Sequence, residues 1–249
     1  MLGNNYVTWG CETPLPAAIP DFAAVGRLSS GPGRGPRGLA EAEPLRGRWS
    51  WYSEIETRQA NAQLTAQQLG RVGVRLHVAP CLSLTAGYVL AANEGATPYG
   101  PAAPEHRFYQ EVALGDVAGA FRASHRLRAE ERWLRATPEA AYRFAPRLRY
   151  QLRLVVPLRA GGKLPVGGLY AVVADEVFAG LGRREGRNFL EENRASAGLG
   201  YRLSPRTAVE VAYLHQSQAV GALGQALARN AVQVAVAIAA PGHRVLARN

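Results

Sequence analysis

The chain has 249 residues, with 29 Lys+Arg against 19 Asp+Glu for a formal net charge of +10, and 47% of it is hydrophobic. That hydrophobic content excludes a wholly disordered chain, and the longest apolar runs, such as residues 234–240, fall far short of the ~20 residues of a transmembrane helix. Two cysteines cannot form a disulfide framework, no Cys/His spacing indicates a metal site, and we predict no cofactor.

The first 47 residues are rich in glycine and proline and carry no net charge. They show no repeating period, which predicts an unstructured segment. Residues 33–38 match the pattern G-x-G-x-x-G, but a dinucleotide site needs a strand before this pattern and a helix after it, so we interpret the stretch as a linker. Residues 1–22 lack the basic start and the apolar stretch of a secretory signal. We therefore expect residues 1–47 to be disordered or to reflect a misplaced start of the chain.

After this segment, apolar and polar residues alternate with a period of two. Arg149 and Arg153, for example, alternate with Leu148, Leu152 and Leu154. Strict alternation predicts half-buried antiparallel strands, and we expect ten of them, within a range of 8 to 12, each about ten residues long. The predicted strands cover residues 49–58, 71–78, 82–90, 105–114, 121–133, 147–156, 169–178, 194–203, 209–213 and 232–238.

A tilted strand of ten residues spans the ~25 Å apolar band of an outer-membrane barrel. The pattern therefore favours an all-β fold, a closed antiparallel transmembrane β-barrel over residues 48–240 with a polar C-terminal tail at 241–249. The alternative is a soluble basic β-barrel or sandwich that buries its apolar face and binds a small apolar or anionic ligand. Aromatic residues stand at the ends of the apolar faces, where an interfacial girdle would place them: Trp49, Trp51, Trp133, Tyr201 and Tyr213.

In a membrane barrel the apolar face meets lipid and the polar face lines the lumen. Arginine and glutamate dominate the polar face, so we expect a lumen lined by these residues. Either cross-strand ion pairs fill this lumen, or its arginines hold and pass small anions. Ten strands are too few for a general porin. The candidate lumen residues are Glu54, Glu56, Arg107, Glu111, Arg126, Arg128, Glu130, Arg132, Arg147, Arg149, Arg153, Glu192, Arg194 and Glu210.

Residues that could support catalysis are sparse on this face. His77 is its only histidine, and Ser83 on the next strand would complete the one conceivable hydrolase pair. Asp175 and Glu176 are neighbours and so point to opposite faces of a strand, which favours a structural role at the strand end. Most aromatic residues lie opposite the arginines, unlike the stacked grooves of single-strand nucleic-acid binders. We predict neither an enzyme nor a nucleic-acid-binding protein.

An ordered set of short motifs runs through residues 48–240: Glu105-x-Arg107-x-x-Gln110, Arg126-Leu127-Arg128-x-Glu130-x-Arg132, Arg147-x-Arg149-Tyr150-x-Leu152, Asp175-Glu176-Val177-Phe178, Glu192-Asn193-Arg194, and Gly198-Leu199-Gly200-Tyr201 followed by Tyr213-Leu214. This set resembles the outer-membrane barrel family named domain of unknown function 2490. The resemblance implies a bacterial outer-membrane β-barrel of unknown role with outer-membrane lipid as its partner; it supplies no catalytic residues and leaves the oligomeric state open. Two departures are the missing signal peptide and a last strand that ends at Ile238 without a terminal aromatic residue.

Overall fold

The described part of the chain is made of β-strands joined by turns. Among these residues no helix is long and apolar enough to cross a membrane. The computed structural model describes residues 25–30, 38–44, 48–59, 65–79, 81–93, 103–118, 121–135, 137–159, 164–182, 189–205, 207–220 and 225–238.

Thirteen strands are described, and most are longer than the ten residues predicted from the alternation. Their bounds are β1 Val25–Ser30, β2 Gly38–Pro44, β3 Trp49–Gln59, β4 Thr65–Ala79, β5 Leu82–Asn93, β6 Ala103–Ala118, β7 Phe121–Leu134, β8 Arg143–Phe144, β9 Arg147–Pro157, β10 Leu169–Gly180, β11 Leu190–Arg202, β12 Thr207–Val220 and β13 Gln225–Ile238.

These strands form one antiparallel sheet. Its order is β1-β13-β12-β11-β10-β9-β7-β6-β5-β4-β3-β2, and the short β8 lies beside β7. Strands that follow one another in the chain are therefore neighbours in the sheet almost throughout, which is the up-and-down arrangement. β1 and β2 end the path, and no ladder joins them within the described residues. The sheet is thus not closed, unlike the closed barrel that the sequence predicts.

The predicted all-β antiparallel architecture is confirmed, because each of the ten predicted strands coincides with one of β3–β7 or β9–β13. β1 and β2 are additional strands in the segment expected to be unstructured. The rest of residues 1–47 lies outside the described residues, as do the glycine-rich residues 33–37 and the tail at 241–249.

Candidate functional site

The two faces of the sheet differ in composition and in exposure. One face carries arginines and glutamates of β4, β6, β7 and β9–β13, and we name it the charged face; the opposite one is the apolar face. The side chain of Glu130 on the charged face is 3% exposed, whereas Phe108 on the apolar face is 50% exposed. A soluble barrel or sandwich buries its apolar face. In this sheet the apolar face is exposed and the charged face is buried, as expected of a barrel surrounded by lipid.

Strand β9 shows the alternation residue by residue. Tyr150 on the apolar face is exposed, and its neighbours Leu148, Leu152 and Leu154 are half-buried. Arg149, between them in sequence, points to the other face and makes buried ion pairs there. The facing expected from the sequence therefore holds along this strand, with leucine on one side and arginine on the other.

Ion pairs on the charged face reach across several strands, which places that face on the concave side of the sheet. Adjacent strands are ~4.8 Å apart, yet Arg126 of β7 lies 2.7 Å from Glu176 of β10, two strands away. Arg132 of β7 lies 3.3 Å from Glu191 of β11, three strands away. Contacts on the apolar face, such as Phe108 with Trp133, join directly paired strands. Side chains converge on the inside of a curved sheet and diverge on its outside, so the charged face is the inner one.

The inner ion pairs form a continuous network. Glu130 accepts hydrogen bonds from Arg147 at 2.5 and 2.9 Å and from Arg149 at 2.8 Å. Arg149 also donates to Glu176 at 2.7 Å, and Glu176 accepts from Arg126 at the same distance. Buried charges are tolerated only when such partners replace the lost water. Each carboxylate in this network is shared by two guanidinium groups, so the whole set is fixed together.

Aromatic rings lie beneath the arginines of this network. The guanidinium carbons of Arg149, Arg194 and Arg147 lie 4.5, 4.7 and 5.0 Å from the centre of the Phe178 ring. Cation–π attraction at these distances is strongest where water is excluded, and Phe178 is fully buried. Tyr109 has the same role under Arg128, at 4.6 Å. The rings therefore pack between the backbone of the sheet and the arginine side chains, and they hold the guanidinium groups in place.

The structure brings most of the candidate lumen residues together on the charged face. Arg153 pairs with Glu210, which also accepts a hydrogen bond from Tyr170 at 2.8 Å. Arg194 pairs with Glu192, which accepts a further hydrogen bond from Gln216. The side chains of the candidates Glu54 and Glu56 lie outside the described residues. The other candidates on this face are Arg107, Glu111, Arg126, Arg128, Glu130, Arg132, Arg147 and Arg149.

Sequence reasoning missed four inner residues. The sequence analysis placed Glu176 at a strand end, but Glu176 lies inside β10 and its carboxylate is shared by two arginines. Tyr170 and Phe178 were missed because residues 169–178 are apolar on both sides, and that pattern does not fix their facing. Glu191 turns inward at a bulge, where the register between β10 and β11 shifts after Phe178.

The histidine considered for catalysis has a different partner from the predicted one. The Nε2 atom of His77 lies 3.2 Å from the Oγ atom of Ser50 on β3. Ser83, the serine weighed from the sequence, lies opposite His77 in the ladder between β4 and β5. Asp175 points to the apolar face, where it accepts a hydrogen bond from Asn193 at 2.8 Å.

A family model and a related protein match most of this chain. The family model described as "Protein of unknown function (DUF2490)" matches residues 40–225. An uncharacterised protein of Methylorubrum extorquens is 29% identical over 183 residues, which cover 70% of this chain and 74% of that protein.

Two solved porin structures resemble the fold. A structure of the NanC porin has a TM-score of 0.53 at 11% identity and covers 87% of this chain and 98% of its own. A structure of the KdgM porin has a TM-score of 0.48 at 11% identity with the same coverage. At this level of identity the first of these shows a shared porin-type fold.

Proposed function

For this chain, which belongs to the DUF2490 family of proteins of unknown function, we propose a closed β-barrel in the bacterial outer membrane whose lumen is lined by the charged face. The exposed apolar face and the concave charged face support this orientation. Closure between β1 and β2 is supported by Cα atoms of the two strands that come within 8 Å of each other. Closing this gap gives a path of twelve strands, an even number as in single-chain bacterial barrels.

We further propose that the lumen passes small anions and performs no catalysis. The observation that carries this proposal is the charge balance of the inner face. On described side chains of that face, thirteen arginines stand against seven glutamates, which leaves an excess of six positive charges. Rings of arginine select anions in narrow pores, and a barrel of this size is narrower than the 16–18 strands of general porins. The arginines are Arg71, Arg75, Arg107, Arg122, Arg126, Arg128, Arg132, Arg147, Arg149, Arg153, Arg194, Arg202 and Arg229, and the glutamates are Glu105, Glu111, Glu130, Glu176, Glu191, Glu192 and Glu210.

Three of the ion-paired arginines are placed to meet a passing anion. The side chains of Arg126, Arg153 and Arg194 are 27%, 19% and 17% exposed, although each has a carboxylate partner. Arg128, which is fully engaged with Glu111, is only 5% exposed. A partly open guanidinium retains donors in its planar fork for a carboxylate or phosphate oxygen. The anion path therefore follows β7, β9 and β11.

Planar-bilayer recordings of the purified protein in a KCl gradient test this proposal. We expect small channels whose reversal potential shows anion-over-cation selectivity, and we expect the double variant Arg126→Gln/Arg194→Gln to lose most of that selectivity. Arg135→Gln is the matched control, since Arg135 stacks on Tyr142 in the connection after β7, outside the charged face. Channels with cation selectivity, or a double variant that behaves like the control, would contradict anion passage.

A structural barrel without passage is the second candidate. The observation that favours it is the close ion pairing of the inner face, where Glu130 and Glu176 are each 3% exposed. A barrel interior filled by such pairs needs no transported solute. The same recordings separate the two, because a correctly folded barrel that stays silent in every bilayer supports the structural role.

A further inference from the structure

Strand β7 carries two arginines on either side of a serine on the charged face. Arg122, Ser124 and Arg126 are alternate residues of this strand, so all three side chains point to the same face. Alternate residues of a strand are only ~6.6 Å apart, so both guanidinium groups can reach an anion that lies over the serine. Ser124 is exposed and Arg122 is half-buried. The inner face is therefore accessible at this serine.

The neighbouring strands leave space beside Ser124. On β6 its partner in the ladder is Gly115, which has no side chain. A Cβ atom added to Gly115 would meet no atom of the surrounding residues within 4 Å, so the inner face is open there. On β9 its partner is Arg153, whose side chain is paired with Glu210. Ser124 therefore lies at the floor of a recess, with arginines on β7 and β9 at its edges.

The positive charge at this recess is only partly compensated. Among the described residues Arg122 forms no ion pair and no side-chain hydrogen bond. Arg126 donates to Glu176 at 2.7 Å, but the same carboxylate oxygen also accepts from Arg149 at 2.7 Å. The next carboxylate, that of Glu111, lies 3.9 Å from the Nε atom of Arg126. The recess therefore keeps a net positive charge and N–H donors that no carboxylate uses.

We propose that Arg122, Ser124 and Arg126 form a binding site for the phosphate group of a small solute. One guanidinium fork already satisfies both oxygens of a carboxylate, whereas a phosphate has further oxygens for a second guanidinium group and for the serine hydroxyl. The donors present therefore match a phosphate better than a carboxylate. This inference rests on the proposal that the charged face lines an aqueous lumen, and it names the class of anion that this lumen recognises.

Equilibrium dialysis of radiolabelled inorganic phosphate against the detergent-solubilised full chain tests this site. We expect saturable binding that Arg122→Gln weakens about tenfold, because a hydrogen bond to a charged group is lost. Ser124→Ala should weaken it about threefold, the effect of a weaker single hydrogen bond. Arg229→Gln is the matched control, because Arg229 is exposed on the charged face of β13, and its replacement removes the same charge from that face at a distance from the recess. The control should bind phosphate like the wild type.

The outcomes separate this inference from anion passage. If the wild type conducts anions in bilayers but binds no phosphate, or if Arg229→Gln weakens binding as much as Arg122→Gln, the phosphate site is overturned while anion passage stands. If phosphate binds as expected and the bilayers stay silent, the site is supported and anion passage is overturned.

Competition in the same dialysis assay identifies the ligand class. Acetate that displaces phosphate as well as unlabelled phosphate does would overturn the assignment to a phosphate group. Displacement by glycerol 3-phosphate at lower concentrations than unlabelled phosphate would support the site and identify a phosphate ester as its source, whereas the reverse order would support it with free phosphate as the source. Heat-modifiable gel migration establishes folding, and Ser124→Ala keeps the test decisive if Arg122→Gln fails to fold.

Discussion

Replacing Glu130 by glutamine is expected to destabilise the folded sheet strongly. Glu130 is 3% exposed and accepts three hydrogen bonds from two arginines. Arg149 retains Glu176 after the change, but within the described residues Arg147 has no other carboxylate partner. Removing one partner of a buried ion pair costs ~3–5 kcal/mol, because the remaining charge is buried and unpaired.

Urea unfolding in lipid vesicles, followed by the fluorescence of the four tryptophans, measures this loss as a lower midpoint at unchanged slope. Glu131→Gln is the control, because Glu131 is the next residue and is exposed on the other face, where such a change costs less than ~0.5 kcal/mol. The double variant Glu130→Gln/Arg147→Gln should lose less than the sum of the two single variants. A Glu130→Gln protein within ~1 kcal/mol of the wild type would refute the reasoning, since ~3–5 kcal/mol is expected for a buried pair.

Three further changes have defined outcomes. Gly87→Ala should abolish refolding, because its Cβ would overlap the Tyr109 hydroxyl and approach a backbone oxygen to 2.5 Å, whereas Gly70→Ala, with nothing within 4 Å of its Cβ, should refold like the wild type. Phe178→Leu should lower the free energy of unfolding by ~2 kcal/mol through lost cation–π contacts with three arginines, and an unchanged urea midpoint would contradict this. Leu127→Arg on the apolar face should cost ~2–4 kcal/mol in vesicles if that face meets the bilayer midplane, and a neutral effect would argue for contact with water.

The strands could be located from the sequence because period-two alternation is a local property. Residues 147–156 show it clearly, and β9 is where the pattern predicts it. β12 and β13 continue well beyond the predicted residues 209–213 and 232–238. Polar residues occupy both faces of these extensions, as at His215 and Gln216, so the alternation fades while the backbone ladder continues.

The ion-pair network could be predicted only in outline. Alternation placed Arg126, Arg149 and Arg194 on one face, but partners two or three strands apart depend on the curvature of the sheet, which no local pattern encodes. Glu176 is the clearest example, since its strand is apolar on both sides and its partners come from β7 and β9. Glu191 faces inward through a bulge, and an inserted residue of this kind breaks the simple rule of alternate facing.

Spin-label accessibility on β7 in lipid vesicles tests the central claim most directly, which is that the apolar face meets lipid and the charged face lines an aqueous lumen. Leu127→Cys places a nitroxide on the apolar face, and Ser124→Cys places one on the charged face of the same strand; Cys11 and Cys81 are replaced by serine in both. We predict that the label at 127 collides preferentially with oxygen and the label at 124 with a water-soluble nickel chelate. The reverse pattern, or nickel access at both positions, would contradict the account.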